Sequence, residues 1–364
     1  MVAKIRRQIK RLFTLPLAAA GAFADEPPFA TPGEGACLGA EFIYALDDRP
    51  TPQCHASTIV ELPDGSLAAA WFGGTSEPDV DTAIWFAKCE DGTWSKPQMV
   101  VDGSEGEEHD HRTGNPVLFQ PSDGPLLLFY KVVPPEPNRA SAWWGMMTTS
   151  EDAGKTWKEP WKLGENAALG SRPHLIGPVK NRPIELADGA LLCPSSTEHD
   201  GWRVHFEVTQ DFGKTWEVIG PIGGASKLNA IQPSILTYGE ERMQVLCRSR
   251  EKVVTQSWSE DGGKTWSDVS ATQLPNPNSG TDAVTLSDGR QLLVYNPIKR
   301  GRHTLAVATS KDGVDWKMAL LLEKEEKGEF SYPAVIQSAD GKVHITYTWM
   351  REGVKHVILD PAKL

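Results

Sequence analysis

The chain has 364 residues, 48 Asp and Glu against 37 Lys and Arg, and a formal net charge of −11 at pH 7. Its 33 glycines and 27 prolines punctuate it too often for long helices or a coiled coil, and 40% hydrophobic residues is too apolar for a disordered scaffold. The acidic balance argues against nucleic acid and anionic lipid surfaces as partners, since both would repel it.

Lys4, Arg6, Arg7, Lys10 and Arg11 precede an apolar, Ala-rich run from Leu12 to Phe23 that ends in Ala22-Phe23-Ala24. This pattern predicts a signal peptide over residues 1–24 and an exported protein, periplasmic or secreted; the run is too short for a spanning helix. No other apolar stretch approaches membrane length, so no span is expected in the mature chain. Cleavage would remove five cations, leaving 32 basic against 48 acidic residues and a net charge of −16. The five cysteines, Cys37, Cys54, Cys89, Cys193 and Cys247, are odd in number and show no metal-site spacing, so at least one stays unpaired in a monomer. Cys193 and Cys247 lie in runs that read as core strands.

Residues 25–364 read as one domain built from repeats. Asp-Gly pairs at Asp64-Gly65, Asp188-Gly189, Asp288-Gly289 and Asp340-Gly341 each separate two β-prone runs, a hairpin signal. Roughly 25 residues after such a hairpin comes a second motif, S-x-D-x-G-x-T-W, the Asp-box. It stands at Ser150–Trp157, at Ser259–Trp266, and with Thr first at Thr209–Trp216; degenerate copies end at Trp94 and Trp316. The tryptophans are spaced by 63, 59, 50 and 50 residues. In a tight turn the Asp bonds back to backbone amides, the Gly supplies φ > 0 and the Trp covers an apolar layer. Two hairpins per repeat make a four-stranded antiparallel blade, and the chain length gives six, so the fold class is an all-β, six-bladed β-propeller. The sixth blade has no box, and Glu41 to Leu46 is expected to close the ring as its outer strand.

Blade topology then sorts the side chains. The boxes fall on one face, and the starts of first strands and ends of second strands gather around the axis on the other. That rim carries His55, Arg112, Asn115, Lys180, Gln232 and Tyr332 from strand starts, and Glu77, Asp79, Asp81, Lys131, Glu198, Arg248, Arg302 and Arg351 from strand ends. Cations converging in an acidic protein suit a small anionic ligand, and Arg suits bidentate grip on a carboxylate. Asp79, in a loop beside Gly73-Gly74, is placed to act as a general acid, and Tyr332, near Glu329, to act as a nucleophile.

These features resemble the sialidase (neuraminidase) superfamily, in particular the bacterial sialidase-like proteins with BNR/Asp-box repeats. The resemblance implies a glycosidase with Tyr332 as nucleophile, assisted by Glu329 or another rim carboxylate, and Asp79 as acid/base. It implies carboxylate binding by Arg248, Arg302 and Arg351, and the rim topology adds Arg112, Asn115, Lys180 and Gln232 as substrate-binding candidates. Two positions depart from the family's pattern. His55 stands where the Arg of an Arg-Ile-Pro motif is expected, and Asn229-Ala230-Ile231-Gln232 lacks the glutamate that would assist the tyrosine. His55, with His109 and His111, is then a candidate acid/base group.

The expected activity is removal of a terminal, acidic sugar from a glycan. A polysaccharide lyase using His and Tyr on the same rim, and a non-catalytic carbohydrate-binding propeller, are the alternatives. No phosphate loop, calcium loop or clustered Cys/His site is present, so no cofactor or metal is expected.

Overall fold

Each Asp-Gly pair closes a hairpin in the same way. The backbone N–H groups of Ser66, Ala190, Arg290 and Lys342 donate to the carboxylates of Asp64, Asp188, Asp288 and Asp340 at 3.0–3.1 Å. The intervening glycines sit at φ of 80–84°, where a side chain would be strained. The computed structural model describes residues 27–103, 111–134, 136, 139–224 and 226–364. The signal-peptide reading and His109 fall outside the described residues.

The hairpins assemble into six antiparallel sheets around an axis. Blade 1 is Gln53–Glu61, Leu67–Gly74 and Ala83–Glu90, with its outer position split between Thr93–Trp94 and Gln98–Val101. Blade 2 is Arg112–Phe119, Leu126–Val133, Trp144–Ser150 and Trp161–Lys162; blade 3 is Ile184–Glu185, Leu191–Thr197, Arg203–Thr209 and Glu217–Ile219. Blade 4 is Ala230–Tyr238, Arg242–Ser249, Val253–Ser259 and Ser270–Pro275, and blade 5 is Asp282–Thr285, Gln291–Tyr295, Thr304–Ser310 and Trp316–Lys324. Blade 6 takes Phe330–Gln337, Val343–Trp349 and Gly353–Leu359 from the end of the chain and Cys37–Phe42 from its beginning. The ring is therefore closed by N-terminal chain as expected, but four residues earlier than Glu41 to Leu46. Cys37 is buried against Leu359, whereas Tyr44 has left the sheet to pack on Trp71 of blade 1 and Leu46–Asp48 forms a 3-10 turn.

The boxes weld neighbouring blades. In the second blade's box Ser150 accepts from Gly154 N at 2.8 Å, while Asp152 takes the N–H and hydroxyl of Thr156 at 2.8 and 2.6 Å. Box tryptophans pack on aromatic side chains of the preceding blade: Trp157 on Phe86, Trp216 on Phe129, Trp266 on Phe206. At the seam between blades 6 and 1 the same contact recurs as Trp94 on His356, with Glu41 hydrogen-bonded to both. Blade 6 has no turn from its third to its fourth strand on this face, since ring closure supplies that strand from elsewhere. A cavity of about 1120 Å³ remains there, lined by Glu61, Asp64, Cys89, Asp340, His344 and His356. All five cysteines are buried and unpaired. Among the described residues no helix is long and apolar enough to cross a membrane.

Candidate active site

The axial face is shaped by a repeated irregularity in the inner strands. Pairing slips between His55 and Thr58, Gly114 and Val117, Ile231 and Ser234, and Ser331 and Ala334. Within those slips Ala56, Asn115, Gln232 and Tyr332 adopt φ of 53°, 41°, 56° and 52°, and Lys180 of blade 3 adopts 68°. A positive φ is costly for a bulky side chain such as Tyr, and a bulge re-aims the side chain it carries. Four of these residues lie in slips of blades 1, 2, 4 and 6, and Lys180 precedes the first strand of blade 3 with the same backbone sign.

Tyr332 is the centre of the resulting cluster. Its phenol oxygen accepts from Arg248 Nη1 at 2.5 Å and lies 3.4 Å from Gln232 Nε2. The guanidinium carbons of Arg248 and Arg302 stand 5.7 and 5.5 Å from the phenol ring centre. On another side the His55 imidazole packs on the ring with centroids 4.1 Å apart. Asn278 Oδ1 fixes Arg248 through Nε at 2.8 Å, and the same guanidinium lies over Trp202. Arg248, Arg302 and Tyr332, which the sequence placed on three different blades, thus meet in one side-chain cluster.

A chain of ion pairs surrounds it. Arg302 Nη1 and Arg351 Nε meet Glu329 Oε1 at 2.8 and 3.0 Å, and Arg351 Nη1 meets Glu77 at 2.6 Å. Glu77 also offers its backbone oxygen to Arg112 Nη1 at 3.2 Å. Burial opposes ionisation of Glu329, but Arg351, Arg302 and the Ser331 hydroxyl hold its carboxyl below the usual range. His55 is 2% exposed; burial first, then Arg351, Arg302, Arg248 and Lys180, hold its pKa well below that of ordinary imidazole, so the ring is neutral. Its Nδ1 is 2.9 Å from Thr348 Oγ1, and among the described residues its Nε2 has no hydrogen-bond partner.

Other expected site residues have contacts of their own. Lys180, also 2% exposed, donates to Asn181 Oδ1, Thr281 O and Pro333 O, the last two from blades 5 and 6. An ammonium has three N–H groups, so this one is committed to tying blades across the axis and has none left for a ligand. Glu329 is likewise committed to two guanidinium groups. Asp79 lies in the loop between the second and third strands of blade 1, where it accepts from Ser76 Oγ at 2.5 Å and anchors that loop. His111 packs edge-on against Trp144. Asn115 lies in the slip of the first strand of blade 2, 8% exposed.

Thr348, Asn278 and Trp202 were invisible as site residues in the sequence. Trp202 sits in the hairpin after Leu191–Thr197, outside any box, and only its departure from the box pattern marks it. Among the described residues no group of three His, Cys, Asp or Glu side chains is arranged to hold a metal ion.

A family model described as a BNR repeat-like domain matches residues 65–345. An anhydrosialidase of Macrobdella decora is 23% identical over 233 residues, covering 56% of this chain but only 30% of the leech protein. Among solved structures, the Hadza microbial sialidase Hz136 superimposes with a TM-score of 0.76 at 17% identity, over 89% of this chain and 69% of that one. A protein of unknown function from Dyadobacter fermentans gives 0.72 at 18% identity, over 89% of this chain and 98% of its own. At these identities the structural likeness speaks for the fold alone.

Proposed function

The chain belongs to the BNR repeat-like domain family and is a sialidase-like member of it, and from that premise we propose that it is a glycosidase removing a terminal, carboxylated sugar at the axial pocket. The observation that carries this reading is the phenol of Tyr332 held between Arg248 and His55 with Arg302 beside it.

In this reading Arg302 and Arg351 take the substrate carboxylate, exchanging part of their grip on Glu329, and Tyr332 attacks the anomeric carbon. Arg248, already on the phenol oxygen, stabilises negative charge there as the glycosyl–tyrosine bond later breaks. The family's tyrosine-assisting glutamate is replaced by Gln232, whose amide cannot accept a proton at neutral pH. His55, packed on the Tyr332 ring, is the neighbouring group that can do so: with Nδ1–H donating to Thr348 Oγ1, Nε2 carries the lone pair. The cationic field that keeps His55 neutral is partly cancelled once a carboxylate pairs with Arg302 and Arg351. Basicity then rises when an anionic sugar is bound, which ties turnover to substrate charge.

The test is incubation of the chain with sialosides, uronides and rhamnosides, with products identified by mass spectrometry. Release of a carboxylated monosaccharide with uptake of water supports the proposal. An unsaturated uronate formed without water would instead favour a lyase built on the same His55–Tyr332 pair, and sugar binding without turnover a lectin-like role.

A further inference from the structure

A glycosidase needs a proton donor for the departing oxygen as well as a nucleophile. We propose that this donor is Glu198, on the wall of the pocket opposite Tyr332; the assignment rests on the glycosidase reading above. In a six-membered ring whose blades follow one another in chain order, blade 3, which carries Glu198, faces blade 6, which carries Tyr332. The two are joined by contacts across the pocket: Glu198 Oε2 accepts from Trp202 Nε1 at 3.0 Å, Arg248 lies 5.2 Å over the Trp202 ring, and Arg248 reaches the Tyr332 oxygen.

The other carboxyls of the pocket are already occupied as anions or anchors. Glu77 and Glu329 are ion-paired with arginines, and Asp79 and Asp81 secure their own loop through Ser76 and Thr75. Asp282 accepts from Ser234, Ala283 N and Val335 N. Glu198 has one neutral donor, and no guanidinium within ion-pair distance among the described residues. Burial pushes its carboxyl up, and Arg248, the Trp202 N–H and Arg250 only partly offset the rise. Neighbouring His199 is turned away, onto Leu169 O and Asp200. A half-buried acid whose carboxyl burial pushes up, beside an aromatic platform, has the chemistry the leaving-group side requires.

The proton balance closes. Glu198 gives its proton to the glycosidic oxygen, which departs as an alcohol with the electron pair of the broken C–O bond. Tyr332 Oη bonds to the anomeric carbon and its proton passes to His55. In the second half water attacks that carbon and loses a proton to the Glu198 carboxylate, while the phenol oxygen leaves with its pair and recovers the proton from His55.

The test compares Glu198→Gln with wild type on 4-nitrophenyl and methyl glycosides of the sugar that wild type releases. Nitrophenolate leaves without protonation, so kcat/KM should fall about 10²–10⁴-fold on the methyl glycoside and less than about tenfold on the aryl one. The alkaline limb of the pH profile should disappear. The amide keeps an acceptor for Trp202; should it nonetheless fold poorly, Glu198→Ala with added formate is the second variant, and formate should restore methyl-glycoside turnover. Equal losses on both substrates, or none on either, overturn the assignment. Loss in Tyr332→Phe with no effect in Glu198→Gln leaves the glycosidase reading standing without this donor, whereas a wild type inactive on every glycoside removes both.

Discussion

Arg248 Nη1 and the phenol oxygen of Tyr332 are 2.5 Å apart although 84 residues separate them in the chain. The contact exists because two second-order features coincide: a bulge that gives Tyr332 a φ of 52°, and Asn278, which fixes the guanidinium through Nε. Lysine in place of Arg248 cannot hold Asn278 and the phenol together, since both bonds come from one planar fork. Arg248→Lys is therefore expected to lower kcat/KM about 10²–10³-fold with thermal stability nearly unchanged, measured by steady-state kinetics and calorimetry.

Lys180 gives the opposite outcome. Its three acceptors would be orphaned at the axis in Lys180→Met, and a buried acceptor left unsatisfied costs roughly 1–3 kcal/mol. Urea denaturation should show a loss of about 3–5 kcal/mol. A loss under about 1 kcal/mol would contradict the bridging role.

Lys131 of blade 2 is fully buried, and among the described residues its amine has no hydrogen-bond partner. Burial lowers its pKa to about 7, with Glu207 and Cys193 opposing the fall. Between pH 7 and its ordinary value the unfolded chain binds the extra proton, so folding becomes more favourable as pH rises through that window. Lys131→Met removes the penalty and is expected to stabilise the protein by about 1–3 kcal/mol at neutral pH. The gain should be largest below pH 7 and shrink toward pH 10, read from denaturation curves across that range.

The seam between blades 6 and 1 carries a pH dependence of its own. His344 Nδ1 is 3.0 Å from His356 Nε2, and His356 continues to Glu41. Burial, then the neighbouring His356, lowers the His344 pKa to about 4, from an ordinary imidazole value of 6.5. From 6.5 down to about 4 the unfolded chain takes up a proton that the folded chain refuses, so stability falls with pH across that interval. Replacing His344 by Gln should flatten this slope, measured as Tm between pH 4 and 7.

Much of the architecture was legible because turns leave local signatures. Asp64-Gly65 and its counterparts needed only two adjacent residues to announce a hairpin, and Asp152 with Thr156 only four. The ring closure was displaced because Tyr44 and Cys37 are both apolar enough for a strand, and only packing on Trp71 decides which one leaves the sheet. The axial residues were readable from topology, but their roles were not. Lys180 and Arg248 look alike as rim cations; one is consumed by carbonyls of distant blades, the other is free to face the phenol. Glu198 and Asp79 are both acidic rim residues, and burial beside Trp202 separates them, a fact that arises only from folding.

The central claim, that Tyr332 reacts covalently with a sugar in this pocket, is tested by labelling. The wild-type chain is incubated with a fluorinated glycosyl fluoride of the sugar that it releases, which slows breakdown of a glycosyl–enzyme bond, and then digested for mass spectrometry. The account predicts one added glycosyl unit on the peptide containing Tyr332, and none in Tyr332→Phe. An active enzyme that gives no adduct, or an adduct on another residue, would contradict it.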